Sequence, residues 1–143
     1  MNEVISIIES VAVCDASITK ANERLTELMF KKGVEEHRLN KLLTTKENIA
    51  EDLAKAIQEL DAVNTQLLTM PEGPEKEELI TEQYRLMYRK RSLAERANTD
   101  SITSMVESWI EIGMYNGQID PLTANIAELE TKKAELMNKA KAA

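Results

Sequence analysis

The stretch Met70–Glu78, MPEGPEKEE, decides how this chain folds. Two prolines and a glycine fall between positions 71 and 74, and the sequence on either side is helical in composition and period. Pro71 cannot continue a helix arriving from upstream, because it has no N–H to donate and its ring clashes with the preceding turn. Gly73 has the freedom to reverse the chain. Pro74 suits the first position of a new helix, where the missing N–H would be unpaired anyway. Glu75, Glu77 and Glu78 then stand where the new helix dipole favours anions. A connection this short makes its neighbours antiparallel, so the stretch predicts a helical hairpin with its turn at 70–74.

Upstream, apolar residues recur every seven positions. One column runs Val4, Val11, Ile18, Leu25, Lys32, Leu39, Lys46, Leu53, Leu60, Leu67, and its companion runs Ile7, Cys14, Ala21, Leu28, Glu35, Leu42, Ile49, Ala56, Val63, Met70. These are the core columns of a coiled coil. Gly33, after Lys31 and Lys32, resembles a helix stop. An unrelated second helix would resume the same register only about one time in seven, so one long helix is expected, weakened at Gly33 and roughly 100 Å long.

Downstream, the return helix is predicted to run from Pro74 to about Met114, with Gly113, Asn116 and Gly117 marking its end. Asp120 and Pro121 form a cap-plus-first-turn pair that predicts a short last helix to about Lys139. Leu122, Ile126, Leu129 and Leu136 lie on one of its faces.

Closing the hairpin at the turn places Leu67 opposite Leu79, Val63 opposite Gln83, Leu60 opposite Leu86, Ala56 opposite Lys90, Leu53 opposite Leu93, Ile49 opposite Ala97 and Lys46 opposite Asp100. In every layer the two residue numbers total 146. One flank then brings Glu59 near Arg89 and Asp52 near Arg96. The other flank carries Ala50 and Ile57 from the first helix with Ile80, Tyr84, Met87 and Ala94 from the second. A two-helix coil needs only a narrow seam, so a second apolar column implies a further partner. A last helix of about 20 residues covers roughly 30 Å and starts at the far end, which leaves a second copy of the chain as the expected cover. Ile57, Ile80, Tyr84, Met87 and Ala94 are therefore the expected oligomer interface, in a four-helix arm made by two hairpins.

At the open end Ile5, Ile8, Val13 and Ala16 add apolar faces to the first helix, with Met105, Trp109 and Ile112 expected opposite. Ile119 to Leu136 would complete a three-helix head. Thr44, Thr45 and Lys46 against Asn98, Thr99, Asp100 and Ser101 make a polar waist, where the apolar phase of the return helix slips. The fold class read from the sequence is all-α: a long antiparallel coiled-coil hairpin with a three-helix head. The chain is read as a single helical domain over 1–143, with the head at 1–43 and 101–143 and the arm at 44–100.

Composition narrows the function. Aromatic residues make up 3% of the chain, and a net charge of −7 argues against general binding to nucleic acid or anionic membranes. The N-terminus lacks a basic segment, Glu3, Glu9 and Asp15 interrupt its apolar run, and no stretch approaches a membrane-spanning length. A cytoplasmic protein is expected, and one cysteine fits a reducing compartment. A metal centre needs several converging His, Cys or carboxylate ligands, and His37 is the only histidine. Cys14 occupies a core column, as a small hydrophobe would. With no phosphate loop and no nucleophile–base arrangement, neither catalysis nor a cofactor is expected.

The remaining candidate is Tyr84–Arg96, YRLMYRKRSLAER, which holds four of the six arginines. Arg89 and Arg96 are assigned to the hairpin flank, leaving Arg85, Tyr88 and Arg91 as an alternative site for an anionic small molecule or nucleotide. Glu82 and Glu95 lie within helical reach of those two arginines. The expected function is non-enzymatic: an oligomeric scaffold, adaptor or assembly chaperone that works through protein contacts with itself and with a further protein.

Overall fold

The computed structural model describes residues 3–98 and 101–142. They form four helices: α1 (Glu3–Ser6), α2 (Val11–Leu67), α3 (Pro74–Ala97) and α4 (Ser101–Ala142). No strand occurs among the described residues. The chain divides into two compact units, one of Leu39–Val106 and the other of Met1–Arg38 with Glu107–Ala143.

Leu39–Val106 contains the hairpin. The last turn of α2 tightens, with Leu68 N donating to Thr65 O and Thr69 N to Gln66 O, both at 3.3 Å. Gly73 precedes α3 at φ 152°, a conformation that side chains rarely adopt, and no atom lies within 4 Å of where its Cβ would be. The glycine is thus required by the backbone reversal and not by crowding. Pro74 opens α3, and Glu77 N makes a 3.2 Å bond back to Gly73 O. Lys76 bridges to Glu72 across the turn at 2.8 Å.

Leu60, Val63 and Leu86 form the buried cluster of the hairpin, with Leu67 and Leu79 packed against it. Gln83 donates from Nε2 to Asn64 Oδ1 at 2.7 Å, tying α3 to α2 on the edge of the same seam. These contacts fit the antiparallel register of the turn. Burying a side chain such as Leu86 contributes about 1.5–3 kcal/mol, and Leu86 is 1% exposed. Ala56 is buried while Lys90 stays exposed, as expected of a lysine whose stem lies along a small neighbour.

One charge pairing at this seam changes. Glu59 and Arg89 form no ion pair; the Glu59 charge acts on Arg85 instead, one turn nearer the hairpin end. The Lys46–Asp100 layer lies partly outside the described residues, since position 100 is not among them. The return helix also stops earlier than the sequence suggests, at Ala97, where Asn98 N donates to Glu95 O at 3.2 Å.

In the other unit α2 passes Gly33 without interruption, as the unbroken heptad predicts. The N-terminal continuation does not hold. Helix α1 ends at Ser6, α2 begins at Val11, and Cys14 N bonds to Ser10 O at 3.2 Å. The break frees the first residues from the heptad phase, so Ile5 is buried while Val4 and Ile7 are exposed.

The larger correction is α4. There is no separate C-terminal helix, because Pro121 lies inside a single helix of 42 residues that also contains Gly113, Asn116 and Gly117. One inward stripe runs Met105, Ser108, Ile112, Tyr115, Ile119, Leu122, Ile126, Leu129, Lys133, Leu136, in alternating steps of three and four, with Ser104, Glu111, Asn116 and Lys132 half-buried beside it. Gly113, Gly117 and Pro121 all fall on the exposed side of that stripe. There the carbonyl that Pro121 leaves without a donor meets water, and each helix-weakening residue costs only its intrinsic propensity.

Lys133 Nζ meets Asp15 Oδ1 at 2.6 Å, which sets α2 and α4 antiparallel within this unit. On α2 Cys14, Ile18, Ala21, Leu25 and Leu28 are buried or half-buried, and on α4 Ile119, Leu122, Ile126 and Leu129 keep one helical phase of burial.

This phase also moves Trp109 out of the head core, where the sequence reading places it. Trp109 is 68% exposed, while Ser108 beside it is fully buried. A continuous α4 must keep the phase set by Ile119, Leu122 and Ile126, and that phase puts position 108 inward.

Candidate interaction surface

The described residues contain no group of three or more His, Cys, Asp or Glu placed to hold a metal ion. His37 is exposed, and the Cys14 thiol is free and fully buried. No described helix is long and apolar enough to cross a membrane. The surface features that stand out are apolar and charged, and they occur in both units.

Helix α3 presents Ile80, Tyr84, Met87, Arg91 and Ala94 at alternating spacings of four and three, a stripe next to its seam with α2. Tyr84 is 66% and Met87 48% exposed, and Ile80 and Ala94 are half-buried. On α2 the matching stripe is Ala50, Ala54, Ile57 and Asp61, all exposed, with Leu43 further along. The five residues expected as an oligomer interface thus share one flank of one unit.

The opposite sides of the hairpin carry opposite charge. Between Glu47 and Asp61, α2 has five acidic residues and one lysine; between Tyr84 and Ala97, α3 has five basic residues and one glutamate. The acidic chain as a whole conceals this division.

The alternative anion site is occupied by its own helix. Arg85 donates to both carboxylate oxygens of Glu82, from Nε at 2.9 Å and from Nη2. This holds Glu82 below the usual carboxylate range and Arg85 above its ordinary value, with the Glu59 charge adding to the latter. Arg91 Nε donates to Glu95 Oε1 at 3.3 Å. Tyr88 is exposed and stands apart from the stripe of Tyr84 and Met87.

The sequence reading missed several exposed apolar residues. In the unit containing α1, Trp109, Ile110 and Met114 on α4 and Met29, Phe30 and Val34 on α2 are exposed. It also missed two buried polar atoms without hydrogen-bond partners, Glu35 Oε2 and Ser108 Oγ. The available signal was an excess of apolar residues over 102–114, more than one stripe can bury. Comparison with known protein families, curated proteins and solved structures gives no match.

Proposed function

We propose that this protein is a non-enzymatic coiled-coil protein that works by protein–protein contact, as a self-associating scaffold, adaptor or assembly chaperone. The observation that carries this reading is the flank of Ile57, Ile80, Tyr84, Met87 and Ala94 beside a seam already closed by Leu60, Val63 and Leu86. A hairpin stable on that seam alone has no structural need for a second apolar column. Over about 24 residue levels the flank measures roughly 35 Å by 20 Å, close to the ~800 Å² per partner of a standard stable interface.

The anionic-ligand reading receives less support, because Arg85 and Arg91 already bond to Glu82 and Glu95. Self-association also makes stability depend on concentration. The expected result is a thermal midpoint that rises with protein concentration over the micromolar range and loses that dependence in Met87→Glu. A midpoint independent of concentration in the native chain would contradict the proposal. A midpoint raised instead by a nucleotide or another anion would favour the second reading.

A further inference from the structure

We infer that two copies pair through this flank about a twofold axis parallel to the hairpin helices, so that α2 of each copy packs against α3 of the other and both turns lie at the same end. The inference rests on the self-association reading above and adds the partner's orientation.

Two closed arrangements bring such flanks face to face. If the axis crosses the helices, α2 faces α2, α3 faces α3, and the turns lie at opposite ends. If the axis runs along the helices, α2 faces α3 in both halves and every neighbouring pair is antiparallel. The charges separate these cases. On the flank itself the charges are Glu47 and Asp61 of α2 and Arg91 of α3, so that α2 against α2 sets acid against acid and α3 against α3 sets arginine against arginine. With the axis along the helices, the acidic stripe of α2 meets the stripe of α3 that carries Arg91. Like charges set opposite one another discriminate strongly against a pairing.

One specific contact follows. Arg91 and Asp61 both lie on the flank and both are exposed, and the bond from Arg91 to Glu95 at 3.3 Å is made through Nε, on the side of the guanidinium away from its two terminal nitrogens. Side chains lean toward the N-terminus of their own helix, so in this antiparallel pair Arg91 and the partner's Asp61 lean toward each other. The same-end arrangement also gathers Glu72, Glu75, Glu77 and Glu78 of both copies. At about two helix diameters apart they are beyond the ~8 Å screening length at physiological salt, so their repulsion is weak.

The test is a dipolar spin–spin distance measured on the full chain carrying Glu72→Cys with a nitroxide label, beside sedimentation of the same sample. Cys14 is fully buried, so the wild-type chain is the unlabelled control. The expected result is a dimer with an inter-label distance of about 20–25 Å, two helix diameters. A dimer with a distance of about 40 Å or more overturns the orientation and leaves self-association standing. A monomer with no dipolar coupling overturns both. A charge exchange checks the contact independently: Asp61→Lys or Arg91→Glu alone should raise the dimer dissociation constant about tenfold, and the double variant should recover most of that loss. Additive losses in the double variant would overturn the pairing of α2 with the partner's α3.

Discussion

At the scale of single residues, the clearest contrast is between Leu86 and Trp109. Leu86 is 1% exposed in the hairpin cluster, so Leu86→Ala should cost about 2–5 kcal/mol in denaturant unfolding, the range for a core leucine truncated to a partial cavity. Trp109 is the larger side chain but 68% exposed, and Trp109→Ala should change stability by less than about 0.5 kcal/mol. A loss of several kcal/mol at Trp109 would mean that α4 carries a different stripe. The Asp15–Lys133 pair gives a prediction in pH. Its hydrogen bond and charge raise the Lys133 ammonium above the ordinary lysine value. A raised pKa stabilises fully below the unfolded value, near ~10.4, and the contribution is lost as pH rises through the folded value. The stability gap between wild type and Asp15→Asn should therefore be constant near neutral pH and close in the alkaline range. A gap that persists through the lysine titration would show that Asp15 acts otherwise.

At the scale of elements, glycine and proline mark a turn at one place and lie inside continuous helices at two others. Met70–Pro74 combines two prolines with a glycine at positive φ, and the chain does reverse there. Gly33 interrupts nothing, because the heptad on both sides keeps one phase. Gly113, Gly117 and Pro121 resemble the turn in composition, yet the stripe from Ile112 through Leu136 passes them in phase and keeps all three on the exposed side. The information was present in the period of Ile112, Tyr115, Ile119, Leu122 and Ile126, and the local breaker signal obscured it. Without that continuity nothing fixes the phase of Met105–Ile112, and the size of Trp109 points to the core although the residue is exposed. Continuity of α4 is testable at Pro121 itself. Inside a helix a proline costs up to about 3 kcal/mol relative to alanine, so Pro121→Ala should stabilise by roughly 1–3 kcal/mol. At the first position of a separate helix the same change would be neutral or unfavourable. Gly33→Ala should likewise stabilise by about 0.5–1 kcal/mol, since nothing lies within 4 Å of the added methyl group.

At the scale of the whole molecule, hairpin and interface were legible to different depths. The seam could be read because turn chemistry and heptad period constrain each other: once the chain reverses at Gly73, Leu60 must face Leu86. Ile57, Ile80, Tyr84, Met87 and Ala94 could be named because they are what such a seam leaves over. The charge partners were harder to place, because long side chains choose among several positions within reach. Arg85 and Arg91 bond along their own helix to Glu82 and Glu95, and the Glu59 charge acts on Arg85. The arginine-rich stretch from Tyr84 to Arg96 thereby becomes the basic half of a division whose acidic half is Glu47–Asp61. The central claim is that the apolar flank beside this division is covered by a second copy of the chain. Sedimentation equilibrium of the purified chain at micromolar concentration tests it most directly. The account predicts a mass at least twice that of the chain, reduced to the single-chain mass by Met87→Glu; a single-chain mass for the native protein would contradict it.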